Sequence, residues 1–267
     1  MDRRFELVAV PFRASWRAGL GWSIAFALMI VGTVAFWPSF RGSDVLQQAL
    51  EQMPAALLQA FGLEDFASPA GYLKGGLYDV VIPLMFAVAG VMFAGSTTAG
   101  EEDAGRLELW LAQPVTRRAV LGGRIVAVFG WLGVVAVVTL ASQLASDAAF
   151  GLEIADGRIV ATVALCTLLG GLYAGVAIAV AGVVGRPGPV VSVGLGLALV
   201  GYLVAALFPL SDVLTTWAWI SPWDWALGGD PLSNPTEAVR YVALAASTAA
   251  LLVVGLVAFS RRDVRSA

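Results

Sequence analysis

The sequence predicts an all-α membrane protein with six transmembrane helices, and two observations carry this prediction. Hydrophobic residues make up 59% of the 267 residues, charged residues only 13%, and the mean hydropathy is +0.83. A soluble domain usually carries about 25% charged residues. In addition, six stretches of 20 to 27 residues contain no charged side chain. About 20 apolar residues suffice for a helix to cross a bilayer, and such continuous runs do not show the alternation of a β-barrel strand.

The six uncharged stretches are the predicted spans. In chain order they are 18–38, 80–100, 125–146, 159–185, 187–211 and 241–260. The longest segment between two spans, 39–79, has 41 residues, which leaves no room for a soluble catalytic domain. We therefore expect residues 1–267 to form a single transmembrane domain.

The distribution of basic residues predicts the orientation. With the N-terminus in the cytoplasm, twelve Lys and Arg side chains lie in the inner segments and four in the outer ones. Inner loops of membrane proteins are enriched in these residues, so both termini are predicted to be cytoplasmic. Arg outnumbers Lys 15 to 1, and Ala, Gly and Val are abundant. This composition is typical of a GC-rich bacterial genome and indicates the bacterial plasma membrane.

Residue types that are missing exclude several chemistries. The chain has no His and a single Cys, Cys166, which excludes His-based catalytic and metal sites and an internal disulfide. A P-loop needs Lys followed by Ser or Thr, and the only Lys, Lys74, precedes Gly75. We expect no catalytic residue, no metal site, no ATP site and no nucleic-acid partner. The spans also lack the ionisable residue that ion-coupled transporters usually carry.

Residues 1–17 are predicted to form an interfacial helix. Phe5, Val8, Phe12 and Trp16 recur at spacings of three or four residues, and Arg side chains lie beside them. Such a helix lies in the plane of the lipid headgroups. The alternative is a plain extension of the first span into the cytoplasm.

Two outer segments also have a predicted structure. In the first, Ser43 can cap a short helix, and a second short helix begins at Pro54 and ends near Gly62. The second segment, 212–237, contains four Trp and lies in a Pro-rich stretch. This composition favours a re-entrant hairpin that dips into the outer leaflet. A belt of aromatic anchors at the interface is the alternative.

The segment 101–113, between the second and third spans, is predicted to be a short amphipathic helix. Glu101 and Glu102 lie at its start, where the helix dipole favours carboxylates. Leu107, Trp110 and Leu111 form one apolar stripe. Such a stripe suits a groove on a partner protein, with Trp110 as the anchor. The alternative is a helix that lies on lipid.

The same segment resembles the ABC-2 family of transporter permeases. The resemblance rests on Gly100-Glu101-Glu102, Gly105, Leu107-Glu108, Leu111, Pro114-Val115 and Arg117. Three outer stretches are also similar to this family: Met53-Pro54 with Phe61-Gly62, Gly71-Tyr72-Leu73, and Ser221-Pro222-Trp223 before Gly229-Asp230-Pro231-Leu232. The ordered set extends over most of the chain.

This resemblance implies a function and partners. The chain would be the permease subunit of an ATP-driven exporter of a lipophilic or amphipathic compound, such as a drug, a lipid or a glycan precursor. It would pair with a second permease, identical or homologous, and with two separate ATPase subunits that bind ATP and Mg²⁺. Segment 1–17 would be the connecting helix and 101–113 the coupling helix. A secondary transporter and a non-transport membrane scaffold are the alternatives.

The resemblance also implies site residues. Contact with the ATPase would involve Glu101, Glu102, Arg106, Leu107, Trp110, Leu111 and Arg117. Since the spans carry no charge, we expect an apolar substrate path between two permeases, lined by the second and fifth spans. Its candidate residues are Phe86, Met92, Phe93, Leu195, Leu199 and Tyr202. The alternative for each is a position facing lipid or the core.

Overall fold

The computed structural model describes residues 3–41, 52–54 and 68–262, and the regular elements of these residues are helices. The short helices are α1 (Arg3–Ala14), α3 (Trp37–Phe40), α4 (Pro69–Leu73), α6 (Ala99–Asp103), α7 (Arg106–Leu111) and α11 (Pro222–Leu227). The long helices are α2 (Trp16–Val34), α5 (Val81–Thr97), α8 (Arg117–Phe150), α9 (Asp156–Val184), α10 (Pro187–Leu207) and α12 (Ala238–Arg261). A π-helical turn, Lys74–Tyr78, precedes α5, and 3₁₀ turns cover Phe208–Leu210 and Thr215–Ile220.

Six helical segments of the described chain are long and apolar enough to cross a membrane, and each overlaps one predicted span. They are Trp16–Phe40, Pro69–Asp103, Arg117–Phe150, Asp156–Val184, Pro187–Leu210 and Ala238–Arg261. This confirms the predicted all-α polytopic fold. Several helices run beyond the uncharged stretches because capping residues, not charges, set their ends. The hydroxyl of Thr116, for example, accepts a hydrogen bond from the Ala119 amide at 3.2 Å and starts α8 eight residues before its predicted span.

Helix α9 forms the centre of the bundle and packs against α5, α8, α10 and α12. Of its most apolar window 78% is buried, compared with 22% for α10 and for α12. Glycines allow the close approaches. A side chain at Gly90 of α5 would collide with the backbone of Gly170, and one at Gly182 would lie 2.6 Å from the Gly255 carbonyl oxygen of α12. Small residues at such contacts are the usual basis of helix packing in lipid.

The helix α1 lies along α8, but only part of its predicted stripe faces the bundle. The Phe12 ring stacks on Trp131 with centroids 4.6 Å apart, and Trp131 Nε1 donates a hydrogen bond to the Phe12 carbonyl at 2.8 Å. Leu7, which lay outside the predicted stripe, is buried. Phe5 and Trp16 are about half exposed and are the side chains available to lipid. The interfacial placement of α1 remains a prediction.

The two ends of the bundle differ in construction. One end of the bundle carries α6, α7 and the last residue of α12, and we call it the α6–α7 end. The segment 212–237 lies at the opposite end. There Trp223 is buried and donates a hydrogen bond from Nε1 to the Tyr173 hydroxyl at 3.1 Å. The Ser221 hydroxyl donates to the Gly201 carbonyl at 2.6 Å. The predicted helices between Ser43 and Gly62 lie outside the described residues, apart from 52–54.

Our first prediction is the orientation of the two ends. In a Cys166→Ser background, Ser233→Cys should react with a membrane-impermeant thiol reagent added outside intact cells. Gln113→Cys should react only after permeabilisation, because positive-inside charge places it in the cytoplasm. Both positions are exposed, so access to the side chain does not limit either reaction. Labelling of position 113 in intact cells would show that the protein has the opposite orientation.

Candidate functional site

The α6–α7 end concentrates buried charge and contains the segment predicted to meet a partner. The prediction of a single helix over 101–113 is wrong, because helix α6 ends at Asp103 and α7 begins at Arg106. Gly105 has φ +69°, in the left-handed region that favours glycine. The break turns α7 away from the axis of α6. The glycine at position 105 was the sequence signal for this break.

The first ion pair of this end joins Glu101 of α6 to Arg124 of α8. Arg124 Nη2 lies 2.5 Å from Glu101 Oε2, and the two side chains are 1% and 8% exposed. Arg124 also donates from Nη1 to the Val120 carbonyl at 3.2 Å, and its guanidinium lies 5.8 Å from the Trp110 ring centroid. The pair is therefore a buried, interhelical contact that positions α6 and α7 on α8.

The second ion pair joins Glu102 to Arg262, the residue that follows α12. Arg262 Nη2 lies 2.5 Å from Glu102 Oε2, and the side chains are 16% and 4% exposed. Arg117, at the start of α8, donates to the Arg262 carbonyl. Glu102 thus pairs with a residue 160 positions away and not with Arg106, four residues along the chain. Tertiary contacts, not local spacing, decide the partners of both carboxylates.

The apolar stripe of the segment faces the protein itself. Leu107 is 2% exposed, and Trp110 and Leu111 are half-buried against the core. Trp110 lies beside Arg124, so it is not a free anchor as the sequence predicted. The exposed apolar side chain is Leu109, at 70%, which sequence reasoning missed. The sequence signal for this exposure was the spacing, because Leu109 lies on a different face of the helix from Leu107 and Leu111.

The surface of this site is the 103–114 segment. Its exposed residues are Asp103, Ala104, Arg106, Leu109, Ala112, Gln113 and Pro114. Of the seven residues predicted to contact an ATPase, Arg106 lies on this surface, whereas Glu101, Glu102 and Leu107 are buried beneath it. Arg117 is half-buried at the edge. The contact itself remains a prediction, but the surface available for it differs from the predicted one.

The six predicted path residues do not line one cavity in the described chain. Phe86 and Phe93 are buried; Phe86 packs on Phe26 at 4.6 Å between ring centroids and Phe93 on Trp131 at 6.3 Å. They belong to the core of this chain.

The other four path residues lie nearer the surface. Met92 is 44% exposed and Leu199 53%, while Leu195 is half-buried. Tyr202 packs on Trp223 at 5.3 Å between ring centroids. The path candidates that remain accessible are therefore Met92 of α5 and Leu199 of α10.

Comparison with known proteins places this architecture in a family. The model of the multidrug efflux system permease Rv1217c, C-terminal domain, matches residues 7–260. The chain belongs to this family. A search of curated proteins finds no match. The match extends from α1 through all six apolar helices and includes the 103–114 segment, so the permease is a multi-pass membrane protein.

Our second prediction concerns the buried pair of the permease. Glu101→Gln and Arg124→Gln each leave one buried charge without its partner, and breaking such a pair destabilises a protein by about 3–5 kcal/mol. Each variant should unfold at a clearly lower temperature in detergent. The double variant Glu101→Leu/Arg124→Met removes both charges and should be more stable than either single variant.

The control for the second prediction is Arg118→Gln, since Arg118 is exposed and adjoins the same end of α8. It should unfold at the temperature of the unmodified permease. Single variants that match this control would show that the buried pair does not stabilise the fold.

Proposed function

We propose that the chain is the permease subunit of an ATP-driven efflux transporter of the ABC-2 type. Its family is described by the words multidrug efflux system permease, which supports export of lipophilic or amphipathic compounds. The observation that carries the proposal is the 103–114 segment, an exposed surface anchored to the membrane helices by one buried and one partly buried ion pair. In the proposed orientation this surface and both termini face the cytoplasm of a bacterium.

The proposed energy source is a separate ATPase subunit, two copies of which serve each transporter and bind ATP and Mg²⁺. In support of this, Lys74, the only Lys of the chain, does not lie in a P-loop. An ATPase surface that receives the 103–114 segment pushes on α6 and α7. Because Glu101 is bonded to α8 and Glu102 to the end of α12, displacement of this surface is passed to those helices.

The substrate path is proposed to lie between this permease and a second one, identical or homologous. The family is described as a C-terminal domain, so in Rv1217c the corresponding unit is one part of a longer chain. Helices α2 and α10 each expose a row of large apolar residues, including Leu28 at 68% and Leu199 at 53%. A second permease against these faces encloses Met92 and Leu199 in an apolar path. Without a second unit they face lipid.

Our third prediction tests the ATPase contact. Leu109→Asp places a charge at the exposed large apolar side chain of the 103–114 segment and should weaken ATPase binding about 30-fold, the effect of losing a contact of about 2 kcal/mol. Binding is measured between the purified permease and a candidate P-loop ATPase, such as one encoded by a neighbouring gene. Leu109 is chosen over Leu107 and Trp110 because their truncation disturbs the packing of the permease itself.

The control for the third prediction is Val213→Asp, an equally exposed apolar residue at the opposite end of the bundle. It should leave ATPase binding unchanged. Equal binding by the Leu109 and Val213 variants would contradict the contact. If no ATPase binds the unmodified permease at all, a secondary transporter or a scaffold becomes the better assignment.

Our fourth prediction concerns the path. Met92→Ala and Leu199→Ala should alter which compounds are exported, because both side chains are exposed, Leu199 on the α10 face proposed to meet a second permease and Met92 on α5, which packs against α10. Resistance profiles of cells that carry each variant measure the effect at equal expression. Val253→Ala, an exposed position on α12, is the control and should leave the profile unchanged. Unchanged profiles for Met92→Ala and Leu199→Ala would exclude a path along these faces.

A further inference from the structure

Arg262 connects three parts of the chain that are far apart in sequence. Its guanidinium pairs with Glu102 of α6, and its carbonyl accepts a hydrogen bond from Arg117 at the start of α8. The same guanidinium packs over Gly185, the residue that ends α9, where a side chain would collide with it. Gly185 has φ +64°, so the sequence provides at this point both the turn and the space for Arg262.

The two ion pairs of this end differ in how strongly they are held. Arg124 is enclosed, with a carboxylate, a carbonyl and an aromatic ring around it. Arg262 lies just beyond the last turn of α12, in extended backbone, and its side chain reaches the surface at 16% exposure. Water can therefore solvate the Arg262 guanidinium once it leaves Glu102. The Arg124 side chain, at 1% exposure, has no such route.

The Glu102–Arg262 contact is also incomplete. Among the described residues, Glu102 Oε1 and Arg262 Nε are buried without a hydrogen-bond partner, so a single bond joins two groups that could form two. Arg124 Nε also has no partner, so the two ion pairs differ in exposure and surroundings and not in this respect. Glu102 and Arg124 both line a small pocket with Leu107, Ala181 and Phe259, from α7, α9 and α12.

We propose that Arg262 is a positioning residue that latches the 103–114 segment to the end of α12, and that Arg124 is its fixed anchor. With the latch closed, α6 and α7 are tied to both α8 and α12. With the latch open, the Glu101–Arg124 pair and the apolar packing of Leu107 still hold them, and the segment can pivot about α8. The consequence for transport rests on the proposed function, since a pivoting surface transmits force only if an ATPase docks on it.

The test measures amide hydrogen exchange of the full-length permease alone in detergent. Arg262→Gln and Glu102→Gln should each raise exchange in peptides spanning 99–112 about tenfold, because a charge-assisted hydrogen bond is lost. Peptides of the central helix α9 should exchange at their original rate. The double variant Glu102→Gln/Arg262→Gln should exchange no faster than either single variant, since both changes open the same bond.

Two further variants make the outcome specific. Arg261→Gln alters the neighbouring exposed Arg and should leave exchange in 99–112 unchanged. Arg262→Lys keeps the positive charge and should remain within about threefold of the unmodified permease. Unchanged exchange in Arg262→Gln, or Arg262→Lys as fast as Arg262→Gln, would overturn the latch. Faster exchange in a permease that binds no ATPase would uphold the latch and refute the proposed function.

Discussion

The α6–α7 end is organised by the burial of Arg124. A guanidinium that is 1% exposed inside a helix bundle needs an opposite charge beside it, because an unpaired charge in such surroundings is strongly destabilising. Glu101 supplies that charge from α6, the short helix that follows α5. This contact ties α6 to α8. The Trp110 ring covers the same guanidinium.

The rest of the bundle depends on the small residues of α9. In lipid there is little hydrophobic force between helices, so close contact between backbones must provide the packing energy. Gly170, at the middle of α9, brings α5 close, and Gly182, in the last turn of α9, brings α12 close. The second contact lies at the α6–α7 end, where Gly182 lines the same small pocket as Glu102.

The sequence predicted the fold because an apolar stretch of about 20 residues without a charge forms few structures other than a transmembrane helix. It could not predict the partners of Glu101 and Glu102. A carboxylate near a helix start can interact with the helix dipole, with a basic residue four positions away or with a distant Arg, and the sequence does not distinguish these. Leu107, Trp110 and Leu111 do form one stripe, as the spacing indicated. Periodicity does not say what the stripe faces, and here this chain covers it. The same ambiguity placed Phe86 and Phe93 in the path when they belong to the core.

The two ends of the permease are held by different kinds of contact. The α6–α7 end has two ion pairs at 2.5 Å with little exposure, and charge-assisted bonds of this kind are about twice as strong as neutral ones. At the opposite end neutral hydrogen bonds join Trp223 to Tyr173 and Ser221 to Gly201, and the partly buried Arg240 donates charge-assisted bonds to the carbonyls of Asp224 and Trp225. The Lys74–Asp230 pair there is 3.7 Å long and partly exposed, so it adds little.

The ion pairs of the α6–α7 end have a mechanical consequence. Under the proposed function, force enters at the α6–α7 end. The Glu101–Arg124 pair passes it to α8 and the Glu102–Arg262 pair passes it to the end of α12, so the helices joined at this end move together.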